Sequence, residues 1–366
     1  MKRLLFFFLV FKIALTGNGQ SITPITIPGY EFANIDAQAV DTINHFLYVS
    51  AFVSKKGEKS GKWKDAKVGV LKYDGTNWTE IGRFNDGRVI TLCFFKGELY
   101  ASGGFDELSD GTPVPSCCAI YNGSSWRPAE GLGNYASRTS IIISLFSTKN
   151  AIYGVNAHLT IIKGDGNTWK KFTLPGEEKK DVTIDNIVGF KGEEYAVKRY
   201  YKLVPMVTNY GDLTEFTISL SLVKLGANTE TPVLLTDKKM LNIIQFQDQL
   251  FAITSDGIYQ LSDGSFKRLF DIKVEKNETV YPVANYIVVK PENKKKPSRC
   301  YKVEAGPSSF VVNETQDKVV LDLGNVECKR ITSSVIFKGE VYVGYFLYDS
   351  YVDYGKYKLY YKFPVP

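Results

Sequence analysis

A short pattern recurs along this chain: an apolar strand, a tight Lys/Asn/Gly turn, an aliphatic-aromatic pair, a loop, then a tyrosine or apolar residue ahead of Gly and Trp or Phe. Its clearest copies are Ile90-Thr91-Leu92-Cys93-Phe94-Phe95-Lys96-Gly97-Glu98-Leu99-Tyr100 leading to Tyr121-Asn122-Gly123-Ser124-Ser125-Trp126, and Tyr73-Asp74-Gly75-Thr76-Asn77-Trp78 before it. The pair recurs as Leu47-Tyr48, Leu99-Tyr100, Ile152-Tyr153, Glu194-Tyr195, Leu250-Phe251, Tyr286-Ile287 and Val341-Tyr342. That makes about seven units spaced roughly 35 to 55 residues apart, the size of propeller blades. The sixth copy is the weakest, which leaves six as the alternative count.

Within a unit the apolar residues alternate with a period near two, and β-branched and aromatic residues dominate, as on pleated, partly buried strands. In the second unit the expected strands are 89–95, 98–105, 117–121 and 125–129, with Lys96-Gly97 and Asn122-Gly123 as hairpin turns. Repeated units of four antiparallel strands predict an all-β fold, a single β-propeller over residues 20–366. Its 366 residues exceed the usual size of one domain, but repeat architectures grow without splitting.

The run Leu99-Tyr100-Ala101-Ser102-Gly103-Gly104-Phe105, followed by Tyr121-Asn122-Gly123 and Trp126, resembles the degenerate kelch-like repeats of secreted bacterial β-propeller proteins of the Bacteroidetes type. Similar repeats occur in the fungal cortical polarity-marker proteins. The resemblance implies architecture rather than a particular activity, and it is sharpest in the first two units.

A propeller must close its ring. The last unit ends on Lys356 to Phe363, a third strand, and the extended segment Ser21 to Ile27 before the first unit is expected to supply the missing fourth strand and cover the sheet edge.

Residues 1–19 read as an export signal: Lys2-Arg3, an apolar core from Leu4 to Val10, and Gly17-Asn18-Gly19 as a cleavage site before Gln20. The apolar run is far short of the ~20 residues that span a bilayer, so no stable membrane insertion is expected and the protein is expected to be secreted or periplasmic. Losing Lys2, Arg3 and Lys12 halves the formal charge of +6, and no basic stripe remains of the kind nucleic acid requires. Five cysteines in an exported chain leave at least one unpaired. Cys93, Cys117 and Cys118 read as packing residues. Cys300 and Cys328 fall on the same face of neighbouring blades and are the preferred disulfide, against an equal alternative of two free thiols.

Catalytic patterns are sparse. His45 and His158 sit in different units without metal-ligand spacing, so neither a zinc site nor a Ser-His-Asp arrangement is expected. Asp106-Glu107-Leu108-Ser109-Asp110-Gly111 has the oxygen ligands calcium prefers but lacks the EF-hand spacing, and reads as a solvated turn. No cofactor is expected.

Loop length is the better guide. The connections between second and third strands are the long ones: 54–67, 106–116, 198–214, 291–298 and 347–355. Variable loops on a rigid scaffold are where binding resides. Trp63, Arg199, Tyr200, Tyr201, Tyr210, Tyr351 and Tyr354 are the candidate ligand-binding residues there, suited to stacking on sugars or gripping a protein surface. The leading expectation is an exported, monomeric β-propeller that binds a glycan or protein partner through its long-loop face. The alternatives are a carbohydrate-active hydrolase or lyase using Asp106, Asp110, Asp212, Asp349 or Asp353, and a structural module of a cell-surface assembly.

Overall fold

A computed structural model describes residues 23–55, 67–85, 87–174, 181–205, 213–225, 230–234, 240–275, 278–291, 297–305, 310–315, 330–346 and 360–364. Every regular element among them is a strand. The described strands form seven antiparallel sheets, six of four strands and one of five, and each is hydrogen-bonded essentially in chain order. The first strands of these sheets are Tyr30–Asp41, Val89–Phe95, Ile142–Ser147, Val182–Phe190, Met240–Phe246, Glu278–Val283 and Arg330–Phe337. Each contacts the first strand of the next sheet, and the last contacts the first. A closed circuit of innermost strands is the geometry of a β-propeller.

The apolar side chains sit in layers between sheets. Between the first and second sheets, Tyr48, Val70 and Phe84 meet Leu92, Leu99 and Phe105; at the closing seam, Ile35, Leu47 and Val49 meet Phe337, Tyr342 and Tyr360. This placement accounts for the aromatic-rich sequence, because each ring must fill a gap between two sheet faces.

Three hairpins share the sequence Phe-Lys-Gly-Glu, at Phe95 to Glu98, Phe190 to Glu193 and Phe337 to Glu340. Their lysines lie at φ 48° to 50° and their glycines at 75° to 84°, the left-handed pair a two-residue turn needs to match strand twist. On the same face lie the turns between third and fourth strands. Asp74 Oδ1 accepts from the Thr76 and Asn77 amides, both at 2.7 Å, and Asn122 Oδ1 from Ser124 and Ser125, both at 3.0 Å. Asp165 Oδ1 does the same for Asn167 and Thr168, both at 2.8 Å. Sequence reading passes over this third copy because Gly164 stands where the others carry Tyr73 and Tyr121. The reason is steric: a Cβ on Gly164 would lie 2.8 Å from the Trp169 ring.

These two sets of turns lock neighbouring sheets together. The Lys96 ammonium donates to the Asp165 carbonyl at 2.9 Å, and Lys338 donates to the Asp74 carbonyl across the closing seam. Nearer the ring axis, the Ser50 hydroxyl donates to the Val89 carbonyl at 2.9 Å, and the Ser102 hydroxyl to the Ile142 carbonyl at 3.2 Å. Both serines hold the same place on a second strand.

The expected ring closure is present. Thr23 and Pro24 pair with Lys362 and Tyr361, the Ile25 amide donates to the Tyr360 carbonyl at 2.8 Å, and Ile27 is buried. Tyr360 donates its buried hydroxyl to Gln38 at 2.8 Å, joining the last sheet to the first.

Three sequence expectations need correction. The second strand of the second sheet is Glu98–Gly103, two residues shorter than expected. Its connection contains a further strand, Glu107–Leu108, which pairs with Asn85 and Phe84 as a fifth strand on the first sheet. The segment expected as a loop from Lys198 to Thr214 is strand through Pro205 and again from Leu213, because its β-branched and aromatic residues pair across a long hairpin.

One departure from the repeat has a physical account. Glu194 replaces the aliphatic member of the pair, and its carboxylate accepts from Thr148 Oγ1 at 2.6 Å and from the Tyr153 hydroxyl at 2.7 Å across a seam. Tyr100, at the position of Tyr153 one sheet earlier, has a buried hydroxyl without a hydrogen-bond partner. Tyr153→Phe is therefore expected to lose ~2 kcal/mol, whereas Tyr100→Phe should be neutral or stabilising. Urea unfolding of the two variants checks this, and equal losses would contradict the assignment.

Candidate interaction face

The starts of the first strands and the connections between second and third strands share one face. Six first strands enter the ring through a register shift, at Asp36, Ile90, Ile143, Asp185, Leu241 and Thr332; the Glu278–Val283 strand pairs without one. An extra residue at this point bends the strand and re-aims side chains. The residue types differ so widely that no sequence pattern marks the bulge.

Acidic side chains at this level of the ring are answered by arginines. Asp36 is buried, with 1% of its side chain exposed, and takes both Nε and Nη2 of Arg88, the former at 3.2 Å. Burial raises its carboxyl above the usual range, outweighing the opposing pull of Arg88. Arg88 is placed by the Gly103-Gly104 dipeptide: the Gly104 amide donates to the Arg88 carbonyl at 2.8 Å, and that carbonyl lies 1.7 Å from where a Cβ on Gly103 would be. On the fourth sheet Arg199 Nε lies 2.7 Å from Asp185, and on the sixth Arg299 Nη2 lies 2.5 Å from Glu278.

The second and third sheets add Arg138, two-thirds exposed and bonded to Asp106 at 2.7 Å, with Tyr135 and His158 nearby in the chain's path over this face. Asn156 fixes both segments, donating to the Tyr135 carbonyl at 2.8 Å and accepting from the His158 amide at 3.0 Å. The acidic run is only partly the expected turn: Glu107–Leu108 is strand, and the turn is Ser109-Asp110-Gly111, where Asp110 accepts from the Thr112 amide at 2.9 Å and backbone donors hold its carboxyl below the usual range. Among the described residues no group of His, Cys, Asp and Glu is placed to hold a metal ion. His45 lies in a turn on the opposite face from His158.

Of the candidate binding residues, Arg199, Tyr200 and Tyr201 lie together on the strand Glu193–Pro205. Tyr200 pairs with Val182 and Ser219, Tyr201 with Thr217, and the ammonium of the buried Lys198 lies 4.9 Å from the Tyr200 ring centre. Trp63, Tyr210, Tyr351 and Tyr354 fall outside the described residues, as do Asp212, Asp349 and Asp353. Cys300 is buried on a third strand, and Cys328 is outside the description. Cys93, Cys117 and Cys118 are buried thiols; burial pushes Cys93 up to about 11 and raises the other two, which suits packing and not nucleophilic chemistry. Sequence reasoning missed Asp36, Arg88, Arg138 and Asp185. Only the Gly103-Gly104 pair hinted at a close backbone approach here.

The sheets, their closed circuit of first strands and the two unequal faces define a β-propeller. No protein-family pattern matches the chain, and no curated protein matches it in sequence. Solved structures do share the fold. The extracellular domain of a putative one-component system from B. thetaiotaomicron aligns with a TM-score of 0.52 at 9% identity, over 94% of this chain and 40% of its own. YCF48 bound to D1 peptide aligns with a TM-score of 0.51 at 12% identity, over 95% of this chain and 97% of its own. A chain of the mitotic checkpoint complex gives a TM-score of 0.50 at 9% identity, over 93% and 94%. At such identities the likeness shows the fold alone. Among the described residues no helix is long and apolar enough to cross a membrane.

Proposed function

We propose that this protein is an exported interaction module, a seven-bladed propeller that binds a glycan or protein partner through the face carrying the long connections. The observation that carries this reading is the inequality of the two faces. The short-turn face is occupied by its own bracing, with Lys96 and Lys338 committed to carbonyls of adjoining sheets. The opposite face carries Arg138, Tyr135, Tyr200 and the long connections on a scaffold fixed by pairs such as buried Asp36 with half-exposed Arg88. A rigid ring with variable polar and aromatic segments on one side is suited to recognition. That one solved propeller of this shape carries a bound peptide is consistent with it. The reading includes removal of residues 1–19 on export, a secreted or periplasmic monomer, and a Cys300–Cys328 bond.

The test is a glycan, polysaccharide and peptide screen of the mature protein that records binding and product release together. Replacing Tyr200, Tyr210, Tyr351 and Tyr354 singly with Ala should weaken binding at one or more positions by about 1 kcal/mol, roughly fivefold in Kd, with the ring still folded. Changes at Gly97 or Gly123 should act through stability instead. Equal binding losses from both faces would overturn the assignment, and product release would favour the hydrolase or lyase reading.

A further inference from the structure

Three of the described turns between third and fourth strands are built alike, around Asp74-Gly75, Asn122-Gly123 and Asp165-Gly166, and the middle one differs in chemistry. In each, a side-chain oxygen of the first residue collects the amides two and three residues on. The Asn122 oxygen collects a third donor, the Ser124 hydroxyl at 2.9 Å. A carboxylate in this place resists nucleophiles. An asparagine amide is open to attack by the following backbone nitrogen, and glycine brings no Cβ to screen it.

The two aspartate copies are covered from the adjoining sheet. A Cβ on Gly75 would lie 2.7 Å from Lys338 Nζ, and one on Gly166 would lie 3.6 Å from the Phe95 ring and 3.7 Å from the Tyr100 hydroxyl. Lys338 and Lys96 also hold the Asp74 and Asp165 carbonyls. Nothing lies within 4 Å of the same point on Gly123, and Asn122 to Ser125 are all exposed. In ring order the hairpin that would brace this turn is Asp41 to Phe46 of the first sheet, which contains no lysine. The Gly123 amide has no acceptor among the described residues.

We propose that Asn122-Gly123 is a self-modifying site, where the asparagine closes to a cyclic imide and opens to aspartate or isoaspartate within the folded protein. The Gly123 nitrogen bonds to Asn122 Cγ and gives up its proton, the Cγ–Nδ2 bond breaks, and ammonia leaves with that proton. Water then opens the imide. Negative charge develops on Oδ1 during the attack, where the Ser124 and Ser125 amides at 3.0 Å and the Ser124 hydroxyl already point. The aspartate product keeps the turn, since Asp74 and Asp165 hold theirs through the same bonds at 2.7 and 2.8 Å. The isoaspartate product lengthens the backbone by one atom and breaks the turn just ahead of Trp126, whose Nε1 donates to the Ile81 carbonyl of the first sheet at 2.7 Å.

The test incubates the mature protein at mildly alkaline pH beside a synthetic peptide of residues 119–128, and maps both by a method that separates aspartate from isoaspartate. Asn122 should convert in the folded protein at least as fast as in the peptide. Ser124→Ala, which removes one of the three donors, should slow the folded protein about tenfold and leave the peptide unchanged. Asp74→Asn places the same residue pair beneath Lys338; it should convert more slowly than Asn122, and adding Lys338→Ala should remove the difference. Asn122→Asp should keep the parent melting temperature. A peptide that converts while folded Asn122 keeps its amide overturns the proposal. So does Ser124→Ala protein that retains its melting temperature and converts at the parent rate or faster. Equal rates in the two turns with Lys338 present overturn it as well.

Discussion

Gly103→Ala should destabilise the ring by about 3 to 5 kcal/mol, while Gly104→Ala, one residue on, should stay within about 1 kcal/mol of the parent. Both glycines belong to the same signature dipeptide, but their surroundings differ. A Cβ on Gly103 would lie 1.7 Å from the Arg88 carbonyl oxygen, 2.7 Å from its carbon and 2.9 Å from the Val89 Cα, all backbone atoms that can withdraw only by moving the start of a first strand. At Gly104 the nearest such atom is 3.8 Å away, an ordinary contact. Moving Arg88 would also strip the buried Asp36 of its cation, and a buried carboxylate left alone is strongly unfavourable. Urea unfolding of both variants decides the matter; equal stabilities would mean that the approach of Gly103 to Arg88 is not a fixed feature of the fold.

Deleting residues 21–28 should remove about 3 to 5 kcal/mol and leave a protein prone to self-association. The deletion takes away the buried Ile27 side chain, worth ~2 to 3 kcal/mol by its apolar area, and the backbone pairing of Thr23, Pro24 and Ile25 with the Tyr360–Pro364 strand. It also bares the edge of that strand beside the seam where Tyr360 bonds Gln38. Melting temperature and size-exclusion elution of the mature and shortened proteins test this. An unchanged melting temperature and a soluble monomer would contradict closure by the N-terminal strand.

The architecture was legible in the sequence because local turn chemistry and strand alternation agreed at each repeat. Lys96-Gly97 and Asn122-Gly123 announced their hairpins, and Ser21 to Ile27 announced itself as the missing strand. What escaped was anything decided between sheets. The bulge at Asp36, Ile90, Ile143, Asp185, Leu241 and Thr332 leaves no residue pattern, since it is a backbone event that acidic, aliphatic and hydroxyl residues all occupy. Glu194 departs from the aliphatic-aromatic pair for a reason visible only between sheets, where Tyr153 and Thr148 are its partners. The stretch from Lys198 to Pro205 read as part of a long connection, and the pairing that makes it strand is with a segment eight or more residues further on. For the candidate face, Arg199, Tyr200 and Tyr201 were found by loop length and turned out to be strand residues. Arg88 and Arg138 were missed because each matters through a partner distant in sequence, Asp36 and Asp106.

The central claim is that one face is braced and the other recognises. Its most direct measurement is a hydrogen-exchange difference map of the mature protein with and without the tightest ligand from the screen. Recognition by the long-connection face predicts slowed exchange in the connections 198–214 and 347–355, with the turns at Lys96-Gly97, Asn122-Gly123 and Lys338-Gly339 unchanged. Slowed exchange confined to those three turns would contradict it.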